Sequence, residues 1–253
     1  MAKNVTTKSL RQSNLIAGTL HLLQMIVVLV LSNDFTLPIV ARYMAGPPGS
    51  TFAEPIVLFN APIGLTVAIF LGLSSLFHFV VASPAFFPRY SRSLIAQRNY
   101  FRWVEYSISS SVMIALIALI CGISDIAAII ALFGVNASMI LFGWLQEKYE
   151  NPGDKGWLPF IFGCIAGIVP WIAISIYVLS VGGPADTSAP AFVYGIVISL
   201  FILFNIFALV QWLQYKKVGK WSDYIRGEKT YITLSLIAKS ALAWQIFAST
   251  LVS

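Results

Sequence analysis

The sequence is poor in charged residues. Only 10% of its 253 residues are Asp, Glu, Lys or Arg, and 58% are hydrophobic. A typical soluble domain has about 25% charged residues, so this composition excludes a water-soluble domain of this size. No repeat or low-complexity tract interrupts the chain. We therefore predict an integral membrane protein that forms one domain over residues 1–253.

Residues that commonly bind metals or form cross-links are also scarce, because the chain has two cysteines and two histidines. Cys121 and Cys164 are predicted to lie at different depths of the membrane, too far apart for a disulfide. His21 and His78 have no suitably spaced His, Cys or carboxylate partners, so the sequence predicts no metal site.

Long apolar runs dominate what remains. Each of them approaches or exceeds the ~20 residues that a membrane-spanning helix requires. The pattern predicts an all-α bundle of seven transmembrane helices. The runs lie near residues 10–31, 56–82, 99–122, 125–146, 157–181, 190–215 and 230–252.

The basic residues indicate how the bundle is oriented. The net charge is +6, but fourteen of the sixteen Lys and Arg residues fall in alternate connections, which explains the excess better than a nucleic-acid partner does. The positive-inside rule then places the N-terminus in the cytoplasm and the C-terminus outside, as expected of a multi-pass protein of the cell membrane. These residues are Lys3, Lys8, Arg11, Arg89, Arg92, Arg98, Arg102, Lys148, Lys155, Lys216, Lys217, Lys220, Arg226 and Lys229.

One long connection, residues 32–55, is predicted on the outer side. Its TLPIVARYM segment followed by GPPGS is typical of a short strand and a turn, and of a hairpin if a second strand follows. A lid, a subunit contact and a plain connector are all compatible with such a loop.

Lys239 is the anomalous residue of the last apolar run, because no other charge lies within nine residues of it. An ammonium group near the centre of a bilayer costs ~2.5 kcal/mol or more, so it needs a partner. Glu105, well inside the third run, is the candidate. The pair is either a structural link between two helices or a reactive site, since a desolvated lysine amine can condense with an aldehyde to form a Schiff base.

Other polar residues are predicted to gather on the inner side of the bundle. His21 and Gln24 are one turn apart in the first run, and Ser74 and His78 share one face of the second. Hydrogen bonds between helices would equally explain these side chains. Arg102 can extend towards the cytoplasmic interface.

Further along the chain, Glu147 is predicted at the inner end of the fourth helix, in water or paired with Lys148. Pro170 should kink the fifth helix and direct Trp171 inwards. The aromatic stripe of the sixth helix, Phe201, Phe204 and Phe207, is by itself more typical of a packed core than of a cofactor pocket.

Several long motifs carry a family resemblance. Seven helices, a lysine in the middle of the seventh and Arg-x-x-Glu in the third resemble a microbial-type rhodopsin, but the basic loops place the N-terminus inside, the reverse of the usual orientation. With this inversion, the chain resembles a heliorhodopsin over nearly its whole length. The motifs are SLFHF, FRWVEYSISSSVMI, FGVNASMILFGWLQEKY, FGCIAGIVPWI and AKSALAWQIF.

The resemblance implies specific roles. Lys239 would hold all-trans retinal as a protonated Schiff base, Glu105 would be its counterion, and the long outer loop would form a homodimer contact. The inner polar cavity would consist of His21, Gln24, Ser74, His78 and Arg102. The surroundings of retinal would include Tyr106, Ser109, Met139, Trp171, Gln211 and Ser235.

The sequence favours a light sensor over an ion pump and over an enzyme. Pumps with this layout have an aspartate four residues before the lysine, where this chain has Ser235. They often have a proton donor eleven residues after the counterion, where it has Leu116. A sensor would act on an unknown cytoplasmic partner. A light-driven ion transporter or channel is the main alternative, and a retinal isomerase is a further one.

Overall fold

Helices account for most of the structure. The computed structural model describes residues 6–181, 183 and 188–251, so Lys3 and the last two residues of the chain lie outside it. Within this part, seven helices are long and apolar enough to cross a membrane, which confirms the predicted seven-helix bundle. They are α1 (Thr7–Leu31), α2 (Ile63–Ala82), α4 (Tyr100–Ile120), α5 (Ile126–Tyr149), α6 (Leu158–Val178), α7 (Ala191–Tyr215) and α8 (Tyr224–Ile246).

The remaining elements lie at the two ends of the bundle. A short helix, α3 (Phe87–Ile95), connects α2 to α4. We call this end, where α1 also begins, the N-terminal face. The opposite end has two strands, β1 (Thr36–Ala41) and β2 (Ile56–Pro62), and we call it the hairpin face.

The hairpin confirms the strand predicted in the long loop and corrects the start of the second helix. β1 pairs antiparallel with β2, from Thr36 opposite Pro62 to Ala41 opposite Ile56. Residues 56–62 were predicted to begin the helix but form a strand. Their backbone is held by β1, and α2 starts only after Pro62, which has an extended conformation. Apolar composition alone does not distinguish such a strand from a helix end.

The last helix begins earlier than predicted. The Asp223 side chain accepts hydrogen bonds from the backbone N–H groups of Ile225 and Arg226, which caps the first turn of α8. The apolar run starts at residue 230, but the helix starts at Tyr224. The first turns of α8 therefore contain Glu228, which is buried.

Among the apolar clusters of the described residues, the two largest lie in opposite halves of the bundle. The larger fills the half next to the hairpin face with residues such as Phe70, Ile117 and Leu242. The smaller lies at the N-terminal face, where Tyr90 and Leu94 of α3 are buried against neighbouring helices. Cys121 and Cys164 are free thiols, as predicted.

One glycine sets the distance between α4 and α5. A Cβ atom at Gly143 would lie 2.8 Å from Cη2 of Trp103. The indole cannot easily move, because its N–H donates to the Glu147 carboxylate at 2.8 Å and its ring is buried. The close contact of these helices therefore depends on a residue without a side chain.

We expect Gly143→Ala to lower the melting temperature of the purified protein, corresponding to a loss of ~1–3 kcal/mol from overpacking. Gly134→Ala in the same helix is the control, because no atom lies within 4 Å of the added Cβ. The control should melt at the wild-type temperature or slightly above it, since alanine favours helix. A Gly143→Ala variant as stable as the control would contradict this account.

Candidate functional site

The predicted pair of buried charges is in direct contact. The Nζ atom of Lys239 lies 2.6 Å from Oε1 of Glu105 and 2.5 Å from Oγ of Ser74. Ser74 also donates to the same carboxylate oxygen at 2.6 Å. Lys239, Glu105 and Ser74 are at most 5% exposed. Three helices, α2, α4 and α8, therefore meet at one ion pair.

Helix geometry explains how these residues meet. Lys239 is fifteen residues into α8, whereas Glu105 is only five residues into α4. Side chains of a helix point back towards its N-terminus, so the long lysine side chain reaches towards the N-terminal face and the level of Glu105. Ser235 lies one turn before Lys239 on the same face of α8.

An apolar cavity extends from the lysine into the bundle. It has a volume of about 100 Å³ and lies between α4, α5, α7 and α8. Four of the predicted cofactor-surrounding residues line it: Tyr106, Ser109, Met139 and Ser235. Besides Lys239, eight residues that the sequence did not assign to the cofactor also line it: Trp103, Ser110, Met113, Ile140, Phe204, Phe207, Ala208 and Ala238.

A second cavity adjoins the first and extends it away from the lysine. It shares Met139, Phe204 and Ala208 with the first cavity and has a volume of about 120 Å³. Trp171 lines it, buried as predicted, and its ring packs edge-on against Phe204 at 5.6 Å. Together, the two cavities suit an elongated apolar molecule with a reactive group at the Lys239 end.

Gln211 is buried but does not line either cavity. Its Nε2 atom donates to the backbone carbonyl of Gly143 at 3.2 Å, which joins α7 to α5. Phe204 and Phe207, which the sequence favoured as packing residues, line the cavity instead. The predicted place of Gln211 beside the cofactor is therefore taken by apolar rings.

A small polar cavity lies on the other side of the ion pair, towards the N-terminal face. Its volume is about 40 Å³, and Ser74, His78, Arg102 and Glu105 line it as predicted. Asn14, which the sequence did not single out, accepts a hydrogen bond from Nδ1 of His78 on its Oδ1 atom at 2.7 Å.

His21 lies beside this cavity but does not line it. Its ring stacks on that of His78, with the centroids 5.7 Å apart, and it is completely buried. Neither of its ring nitrogens has a hydrogen-bond partner in the described part of the chain. Gln24 is only partly buried and does not line the cavity.

The sequence predicted that Arg102 extends towards the cytoplasmic interface. Its side chain is instead buried inside the bundle. It forms salt bridges with Glu147, at 2.6 Å, and with Glu228. Its guanidinium also lies over the rings of Trp103 and Tyr231, at 4.4 and 4.2 Å from their centroids. Glu147 was expected in water or paired with Lys148, but it is buried as well. A second buried cluster of charges therefore lies nearer to the N-terminal face.

Helical spacing could have revealed part of this cluster. Glu228, Ser235 and Lys239 are spaced so that they share one face of α8, but Glu228 was assigned to a loop because the helix start was placed too late. Trp103 shares a face of α4 with Tyr106 and Ser110, three and seven residues on. No pattern marked Asn99, whose side chain donates to Glu228 at 2.6 Å.

Trp103 belongs to both sites. Its ring lines the apolar cavity and makes a cation–π contact with the Arg102 guanidinium, and its N–H donates to Glu147. No group of three or more His, Cys, Asp or Glu residues suited to a metal ion occurs in the described part of the chain. The arrangement is thus an amine with a carboxylate partner, an apolar cavity beside them, and an ion-pair cluster beyond.

Comparison with known proteins identifies a solved structure of the same fold. A light-driven proton pump from Leptosphaeria maculans matches with a TM-score of 0.66 and 15% sequence identity, over 95% of each chain. At this identity the likeness concerns the fold only. No curated protein matches the chain.

A family model matches almost the entire sequence. The model is that of Heliorhodopsin, and it matches residues 10–251. This range includes both members of the buried pair, all the residues that line the two cavities, and the Arg102 cluster. The chain therefore belongs to the heliorhodopsin family.

Proposed function

We propose that the protein is a light sensor that binds all-trans retinal at Lys239 and transmits a signal without pumping ions. Family membership implies a retinal chromophore. The buried amine at the end of an elongated apolar cavity supports Lys239 as the attachment site. Retinal bound there as a protonated Schiff base would supply light absorption and photoisomerisation.

Glu105 and Ser74 would control the charge on Lys239 at the attachment site. The Glu105 carboxylate, 2.6 Å from Nζ, balances a positive charge on Lys239 that would otherwise be stranded in the apolar interior. Ser74 contacts both and fixes their relative position. Because negative charge close to the nitrogen stabilises the positive charge there in the ground state, Glu105 also sets the absorption wavelength.

The two sides of Lys239 differ in polarity, and this difference is the observation that favours a sensor over a pump. Of the buried charged side chains in the described ranges, none lies on the hairpin side of Lys239. Apolar side chains fill that half of the bundle. They include Val28, Ile63, Val67, Phe70, Ile114, Ile117, Leu242 and Ile246.

A pump must move a charge completely across the membrane, which requires groups that exchange protons or ions on both sides of the Schiff base. Among the described residues, the buried charged groups continue only towards the N-terminal face, where His78 and Asn14 are followed by the Arg102 cluster, whereas the hairpin side has a neutral pair, Ser199 and Gln245. The fold shared with a proton pump leaves a light-driven transporter as the second candidate. The apolar half beside the hairpin face argues against it.

The Arg102 cluster is the part of the molecule suited to read out a change at the cofactor. Trp103 lines the cavity on one side and holds Glu147 and Arg102 on the other. A shift of the indole would alter two buried salt bridges, each of which depends strongly on geometry. Glu147 and Glu228 lie on α5 and α8, so the change would reach the ends of three helices.

The protein would have a defined orientation in the membrane and would form a homodimer. The N-terminal face would lie in the cytoplasm of a cell-membrane protein, because it carries most of the basic connections, and it would contact the unknown signalling partner. A homodimer would form through the hairpin. Exposed apolar side chains on β2 support this interface: Ile56, Val57, Leu58 and Phe59. The proposal includes no enzymatic reaction.

Changes at the ion pair test the cofactor assignment. Protein expressed with retinal should be coloured, and Lys239→Ala should be colourless. Glu105→Gln should absorb at longer wavelength, because it removes the negative charge beside the nitrogen, whereas Glu105→Asp keeps the charge and should shift the absorption much less. Absorption spectra of the purified proteins measure both effects. Colour retained in Lys239→Ala would exclude this site.

Illumination of lipid vesicles in unbuffered medium tests whether the protein pumps. We expect no sustained change of external pH beyond that of vesicles containing Lys239→Ala, because the described residues on the hairpin side include no buried charged group to relay protons. Vesicles with a known light-driven proton pump provide the positive control. A sustained change that a protonophore abolishes would favour the transporter.

Infrared difference spectra, recorded as illuminated minus dark, test the readout. We expect a carboxylate band that disappears in Glu228→Gln, a mild variant that leaves Arg102 paired with Glu147. Arg102→Gln should also melt at a lower temperature, because two buried carboxylates lose their partner at a cost of ~3–5 kcal/mol. Arg92→Gln, at an exposed position of α3, is the control. Spectra identical in wild type and Glu228→Gln would exclude this carboxylate from the readout.

A further inference from the structure

Helix α3 lies outside the membrane-spanning set and is firmly attached to the bundle. One face is buried through Tyr90 and Leu94, and the other is exposed at Arg89 and Arg92. The side chain of Arg11 fixes the start of this connection by donating to the Ala82 carbonyl at 2.8 Å. An amphipathic helix in this position lies at the boundary between headgroups and acyl chains.

A groove of about 430 Å³ lies between α3, the end of α2 and the first turns of α4. Phe77 and Val104 form an apolar wall below Arg89 and Ser93 at the rim. Phe77 lies five residues before the end of α2 and Val104 four after the start of α4, so the wall reaches ~6–8 Å into the membrane. A charged rim above an apolar wall matches the upper part of a phospholipid.

The rim is positively charged and lacks a carboxylate to neutralise it. Residues 83–99 contain three arginines and no Asp or Glu. The salt bridges of the described residues involve Arg102 and Lys239 only, so Arg89 takes part in none of them. Ser93 is already engaged, because its hydroxyl donates to the Arg98 carbonyl at 2.7 Å. Arg89 is therefore the group that is free to contact a ligand.

We propose that this groove binds an anionic phospholipid, with Arg89 at the phosphate and an acyl chain along Phe77 and Val104. The planar guanidinium can donate two parallel hydrogen bonds to a phosphate group, and basic pockets between membrane helices suit anionic headgroups. This site is separate from the retinal cavity. The inference does not depend on the proposed light-sensing function.

Native mass spectrometry of the full-length protein tests the proposal, with dioleoyl phosphatidylglycerol and dioleoyl phosphatidylcholine supplied in equal amounts. Wild type should retain the anionic lipid preferentially. Arg89→Gln should weaken its binding about fivefold, the contribution of one basic side chain near anionic lipid. Lys155→Gln is the matched control, since it removes one exposed charge from another connection of the same face.

A second variant tests the apolar wall. Val104 is exposed, so Val104→Trp should fold and fill the groove while leaving Arg89 in place. It should reduce retention of phosphatidylglycerol relative to Lys155→Gln. Equal retention of the two lipids by wild type, equal effects of Arg89→Gln and Lys155→Gln, or unchanged binding by Val104→Trp would each overturn the proposed site.

Discussion

The salt bridge between Lys239 and Glu105 is the interaction on which the rest of the site depends. A charge buried in an apolar bundle must be paired, and removal of one partner leaves the other at a cost of several kcal/mol. The pair therefore fixes α8 against α4, and Ser74 adds α2 to the same point. The apolar cavity begins where these helices meet, so its position follows from the requirement to neutralise one ammonium group.

The two sides of this salt bridge have opposite character, and this difference determines what a change at Lys239 can affect. Towards the hairpin face, the buried side chains of the described core are aliphatic and aromatic, and none of them is charged. Towards the N-terminal face, His78, Asn14 and the Arg102 cluster offer many hydrogen bonds that can rearrange. Lys239 therefore lies at the boundary between an apolar half and a half with buried charges.

The sequence predicted best the positions of residues that differ in charge from all their neighbours along the chain. Lys239 and Glu105 stand alone in long apolar runs, so burial and mutual pairing followed from the cost of isolated charges. The strand at Thr36–Ala41 followed from its composition and the turn after it. The lining of the cavity was predicted only in part, because Phe204 and Phe207 have the same composition and spacing whether they pack together or face a cofactor.

The Arg102 cluster shows why the rest could not be predicted. A charged residue near a helix end can reach water or be buried, and the sequence does not distinguish the two. Glu147 and Glu228 lie on different helices, and only their convergence on Arg102 makes burial favourable for all three. The described part of the bundle thus has two buried salt-bridge sites, one at its centre and one near the N-terminal face. Since Trp103 lines the central cavity and contacts the second site, the tertiary contact that local sequence patterns cannot reveal is also the one that joins the two sites.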